Sequence, residues 1–390
     1  MRPGRAGRAL RRCALGIGQV LVLGSVPALS GLPAAAAEWT IQTGGHVDTW
    51  WAEKRGTGSG LQILAPLSVA LDTLDWGVSV RGAYGTTERE PGEGPTTSLT
   101  GFTDTTLSGY SRWTPFQIEL EAALGLDLPT GKSALRTSQL PALQDQDLVT
   151  LERFGEGFDV NPTLTAYRNF GAVGFGLGLG YLLTGEFDLT SEIPNDDLDP
   201  GDELTAAGLV DFYVGDVTRV LLQVAYTTFT TSKVGGTEVL REGDEIDARV
   251  TAEWRPEPWW VIVGMRNIVR IKSERPDSAG RLRTEPRNSN GNDLRARLVV
   301  GYVFTDAWAA DASVDVRYVT ANDYPADDAL HDGGRIKVAF GPSVSWTPTR
   351  RLAVEAGVHY FVLDAKRSPF FPTETVVHGI HADLRLTYRF

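Results

Sequence analysis

The chain has 390 residues, 49 of them acidic against 37 basic, and a single cysteine. A net charge of −12 argues against nucleic acid as a partner. One cysteine excludes an internal disulfide framework.

In chain order, the first element is a leader. "MRPGRAGRALRRCALGIGQVLVLGSVPALSGLPAAAAEW" runs from arginines through an apolar stretch to small residues, the order of a signal peptide over 1–37, cleaved before Glu38. Its removal takes away Cys13 and five arginines but no acid, which moves the net charge from −12 to −17. From Glu38 onward the period is two, the mark of strands with one apolar face. Sixteen such segments start near Trp39, Gly60, Trp76, Leu99, Phe116, Val160, Val173, Leu204, Val220, Glu245, Trp259, Asp293, Trp308, Arg335, Leu352 and Val376.

Their connections alternate between tight ones ("LDTLDW", "RNFGAV", "FTDAW") and long polar ones ("TTEREPGEGPTTS", "ANDYPADDALHDGG"). Short and long connections alternating around an even strand number predict an all-β fold over 38–390. It is a single antiparallel up-and-down transmembrane barrel with short periplasmic turns and long outer loops. Hydrocarbon offers no hydrogen-bond partner, so a spanning sheet must close on itself. Trp76, Trp113, Phe116, Trp254, Trp259, Trp260, Phe304, Trp308 and Trp346 fall at the short-turn end, as a periplasmic aromatic girdle.

Strand parity places basic residues on the lumen face of the second half: Arg249, Arg266, Arg270, Arg295, Arg297, Arg335 and Lys337. In the first half it places Glu119, Glu121, Asp127 and Asp211 inward. Facing walls of opposite sign set up a transverse field, or else the charges pair locally and keep the lumen wet. The segment 128–158 is a long connection without an evident strand, and its spaced leucines predict that it packs against something. Gly174, Gly176, Gly178 and Gly180 leave a bare inward strip on which that loop would rest inside the lumen. His46, His359 and His381 all face inward, with Asp48 and Asp383 nearby, as a candidate metal or acid–base cluster, although lumen polar residues need no such role. No nucleophile motif, phosphate loop or cofactor signature accompanies them, so neither an enzyme nor a bound cofactor is expected.

The last strand, "HADLRLTYRF", alternates Leu384, Leu386, Tyr388 and Phe390 against polar residues. It resembles the terminal strand of bacterial outer-membrane barrels, which implies recognition by the outer-membrane assembly machinery. Sixteen strands with a long third outer loop resemble general diffusion porins, in which that loop forms the constriction. "LDLPTGK", with Pro129, Thr130 and Gly131, is similar to a strand-end motif of the outer-membrane family named for the MetA pathway of phenol degradation. That second resemblance implies transport of small organic compounds.

The expected protein is therefore an integral outer-membrane channel for passive diffusion of small hydrophilic or mildly amphipathic solutes. Its partners would be membrane lipid, lipopolysaccharide, the assembly machinery and the solutes, and a homo-oligomer is compatible with the fold. The alternatives are a selective transporter of organic compounds, a barrel enzyme at the outer leaflet, and a structural or export partner of a periplasmic complex.

Overall fold

A computed structural model describes residues 37–53, 58–194, 196–368 and 371–390. The expected signal segment lies, but for its last residue, outside them. The first eight barrel strands are β1 (Glu38–Ala52), β2 (Ser59–Asp72), β3 (Trp76–Glu90), β4 (Thr97–Phe102, continued by Thr105–Trp113), β5 (Glu119–Leu128), β6 (Asp159–Phe170), β7 (Val173–Leu182) and β8 (Glu203–Val214). The others are β9 (Thr218–Phe229), β10 (Glu245–Trp254), β11 (Trp259–Arg270), β12 (Asp293–Thr305), β13 (Trp308–Val319), β14 (Arg335–Thr349), β15 (Leu352–Ala365) and β16 (Thr375–Arg389). Among the described residues these sixteen form one closed antiparallel sheet.

Each strand pairs with its neighbour in sequence, and β16 returns to β1 in a continuous register from Thr40 opposite Arg389 to Ala52 opposite Val377. The two ends lock together. Trp39 and Phe390 exchange backbone hydrogen bonds of 3.0 Å in both directions, and their rings stack at 6.4 Å. Among the described residues the barrel sheet has no open edge, which is what hydrocarbon demands.

The outer surface of the wall is apolar. Leu177 is 69% exposed, and Val80, Leu164, Val224, Met265, Phe340, Leu384, Leu386, Tyr388 and Phe390 share that face. In water such a surface would be a liability; against acyl chains it is the expected solvent contact. The short turns carry the aromatic girdle, with Trp308 stacked on Trp346 at 5.6 Å and Trp259 edge-on to Tyr302 at 4.8 Å. This is the architecture of an integral outer-membrane barrel. Trp260 departs from the expected girdle. It is paired with Gly301, and its ring occupies the space that a Gly301 side chain would fill, on the face opposite Trp259. The fifth strand also starts later than the expected Phe116, because Phe116 and Gln117 take left-handed φ values of 53° and 62° in the turn.

The outer loops are more ordered than their composition predicts. Phe187–Asp188, Asp197–Asp199, Thr231–Val234, Thr237–Arg241, Glu274–Pro276 and Leu282–Thr284 form a second sheet of six short segments above the barrel. Phe187, Leu198 and Leu240 of these segments are buried together with Leu189.

Candidate functional site

The long connection between β5 and β6 is the third outer loop (129–158). Its two stems are clamped by Asp104, which interrupts β4. Asp104 Oδ1 accepts from the Gly131 amide at 2.8 Å and Oδ2 accepts from the Glu156 amide at 2.7 Å. The Asp104 amide in turn donates to the Phe154 carbonyl at 2.8 Å.

From that base the loop reaches the lumen face of the wall. Trp50 Nε1 donates to Gln144 Oε1 at 2.5 Å, and Gln144 Nε2 donates to Thr87 Oγ1 at 2.5 Å. Gln62, fully buried, pairs with the Leu151 backbone like another peptide, accepting from its amide at 2.9 Å and donating to its carbonyl at 2.8 Å. Such side-chain pairs replace the strand partners that an irregular segment lacks. Gly60 permits the approach, because a Cβ there would lie 2.2 Å from Gln144 Oε1 and 2.3 Å from Trp50 Nε1. Leu148 and Val149 are buried against Trp50, Phe361, Leu363 and Val377, and Leu135, Leu143 and Phe154 against Leu64 and Leu99.

The loop also carries charge to the basic wall. Asp147 Oδ1 lies 2.6 Å from Arg317 Nη1, and Asp147 Oδ2 lies 2.7 Å from Arg335 Nε. Asp145 lies 3.5 Å from Arg335 Nη1. Burial opposes the charge on Asp147, yet Arg335, Arg317 and Lys337 hold its carboxyl below the usual carboxylate range.

The remaining wall charges form short-range pairs. Arg249 and Arg266 share Asp247 at 2.7 and 2.9 Å, Arg270 meets Glu245 at 2.5 Å, and Arg295 meets Asp293 at 2.8 Å. Arg297 is open to the lumen, 3.5 Å from Asp315. On the acidic side Glu121 meets Arg112 at 2.6 Å, Asp211 meets Arg219 at 2.8 Å, and Asp127 accepts from the Thr106 hydroxyl at 2.5 Å. Glu119 stands opposite Tyr167 in the sheet.

At two of its four positions the glycine strip of β7 is occupied from within the wall and not by the loop. A side chain on Gly174 would meet the Tyr167 ring, and one on Gly176 would meet Leu209 at 3.0 Å. Gly178 and Gly180 pair with Thr165 and Thr163 of β6, while the loop's contacts described above lie elsewhere.

Two of the three candidate histidines come together. His46 Nε2 lies 2.7 Å and His381 Nδ1 2.5 Å from Asp48 Oδ1, and Asp48 is fully buried. His359 instead contacts Ser313 Oγ at 3.0 Å. Lys337 Nζ lies 3.0 Å from His381 Nε2. An ammonium group only donates, so Nε2 accepts, and Nδ1 carries the proton that it gives to Asp48. A metal at Nδ1 would need the opposite tautomer with an ammonium beside it, so this geometry disfavours a metal centre.

Sequence reasoning missed Gln62, Gln144, Asp104 and the inward apolar residues Phe361 and Leu363. The available signal was the loss of alternation in "HYFVL" (359–363) and "TWW" (49–51). It also missed a cluster at the outer end of the seam, where His378 lies 2.5 Å from the Tyr360 hydroxyl and 2.8 Å from Glu53.

No family model matches the chain, and no curated protein does. Solved structures with a similar course include a bacterial polysaccharide outer membrane secretin, 13% identical over 92% of this chain and 100% of that one, TM-score 0.47. An anion-selective porin from Comamonas acidovorans is 12% identical over 91% of this chain and 99% of that one, TM-score 0.43. The outer membrane channel DcaP of Acinetobacter baumannii is 10% identical over 92% and 99%, TM-score 0.43. None of them transfers a residue role to this chain. The likeness to the MetA-pathway family rests on Pro129-Thr130-Gly131 alone.

Proposed function

We propose that this barrel is an outer-membrane channel for passive diffusion of small hydrophilic or mildly amphipathic solutes, narrowed by the 129–158 loop. The observation that carries this reading is where the loop attaches. The hydrogen bonds and ion pairs from loop to wall described above fall on β1 to β4, β13 and β14, and the apolar packing adds β15 and β16. The wall from β6 to β12 then forms the far side of the passage, where Arg297 is open to water and Arg249 and Arg266 are partly exposed.

Beneath the loop lies a cavity of about 780 Å³ whose lining includes Gln42, His46, Ser68, Arg81, Asp127 and Asp383. These polar groups stand among apolar neighbours such as Leu64, Leu67 and Phe154, a mixed lining that suits small hydrophilic or mildly amphipathic solutes. On the same reading, lipid and lipopolysaccharide surround the apolar face, and the assembly machinery reads Leu384, Leu386, Tyr388 and Phe390. A homo-oligomer would bury part of that face.

Deleting Ser138 to Leu151 is expected to raise single-channel conductance in planar bilayers and to admit larger sugars in liposome swelling. Equal conductance and an equal size limit in wild type and deletion would overturn the reading.

A further inference from the structure

We propose that His46, Asp48 and His381 form a proton-sensitive clasp for the 129–158 loop, and that protonating His381 opens it. The clasp spans the barrel seam. Asp48 and His46 lie on β1, and His381, on β16, pairs with Asp48 in register. The loop supplies Thr150, whose amide donates to Asp48 Oδ2 at 2.6 Å and whose hydroxyl lies 2.5 Å from His46 Nε2. One buried carboxylate thus accepts from two wall imidazoles and one loop amide.

The arrangement works only while His381 is neutral. Lys337 needs Nε2 as an acceptor, and Lys337 has little freedom to leave. Its ammonium sits over the Phe361 ring at 4.3 Å, and the His381 ring stacks on that same ring at 4.6 Å. A second proton on His381 puts an N–H and an ammonium 3.0 Å apart with no acceptor between them. The neighbouring groups do not supply one. Asp145 and Asp147 on the loop are held by Arg317 of β13 and Arg335 of β14, and His359 of β15 is turned to Ser313. Asp383 of β16 stands opposite His46, not Lys337. Either His381 swings away from Asp48 or Lys337 displaces the loop's acidic pairs, and both changes loosen Thr150. The change accompanies uptake of that second proton as pH falls.

Only the conductance consequence rests on the channel reading, so the test has two readouts. A nitroxide label at Gln146→Cys, in a Cys13→Ser background, reports loop mobility independently of current. Wild type is expected to show increased label mobility and a conductance rise on going from pH 7.5 to 5. His381→Gln keeps a donor for Asp48 and an acceptor for Lys337 but cannot titrate, so it should fold normally and lose both changes. Lys337→Met should lose them as well, because the repulsion needs the ammonium. A wild-type loop whose mobility is flat with pH overturns the clasp, as does an undiminished response in His381→Gln. A mobility change with constant conductance leaves the clasp intact and counts against the channel reading instead.

Discussion

Asp104 joins both stems of the loop through a single carboxylate, so a change at that one side chain reaches both. Glu156 sits beside it. Burial pushes the Glu156 carboxyl up to about 7, with Asp159, Asp104 and Asp127 adding to the effect against Arg153. A carboxyl raised in the folded state supports the fold below its ordinary value and withdraws that support as pH climbs through about 7. The shift from 4.5 corresponds to roughly 3 kcal/mol at most, since partial exposure screens it. Amide exchange around 154–157, corrected for intrinsic rate, should therefore accelerate between pH 5 and pH 8 in wild type. In Glu156→Gln that dependence should vanish, and its persistence would mean that another group controls the stem. At Thr150 the clasp has the opposite sign, being firmer at pH 8 than at 5, so the two sites are separable in one experiment. Gly60 gives a further test. A valine there must displace Gln144 or Trp50, at a cost of about 1–3 kcal/mol for overpacking. Gly60→Val should raise exchange at 143–151 while leaving the barrel folded, and unchanged protection would show that the wall yields instead of the loop.

At the scale of elements, the strands were readable because lipid and water impose opposite demands on alternate residues. All sixteen appear in the structure near their expected positions. The same rule concealed the loop's seat. Where the lumen face receives another part of the protein, it turns apolar, and the alternation that identifies a strand disappears, as at Phe361 and Leu363. Inward glycines were a poorer guide. At Gly174 and Gly176 the strip on β7 meets Tyr167 and Leu209 from adjacent strands, while the glycine that admits the loop, Gly60, stands alone in its strand segment. Nothing in a one-dimensional pattern distinguishes a glycine facing a neighbour's ring from one facing a loop. The outer sheet escaped notice for a different reason. Its segments are two to five residues long, too short to show any period. The histidines were half legible: strand parity put three on the inner face, but only the register of the closing seam determined which two would meet Asp48.

For the whole molecule, the closing pair is the most demanding contact, because β1 and β16 join the two ends of the described barrel. Deleting Phe390 removes the stacking on Trp39 and its two backbone bonds. The variant should show lower outer-membrane levels and scarce heat-modifiable protein, and undiminished levels would mean that the seam closes without its terminal ring. The seam also carries a consequence for the order of events in biogenesis. Bringing together ends some 350 residues apart costs on the order of 5 kcal/mol in chain entropy, by the logarithmic loop-closure law. The loop's attachment to Asp48 and His46 draws on the first strand, available early, but His381 arrives on the last. A chain still threading into the membrane therefore lacks the last of the loop's anchors. The loop can settle on β1 to β4 early, and its attachments to β13 to β16 follow only as those strands are added.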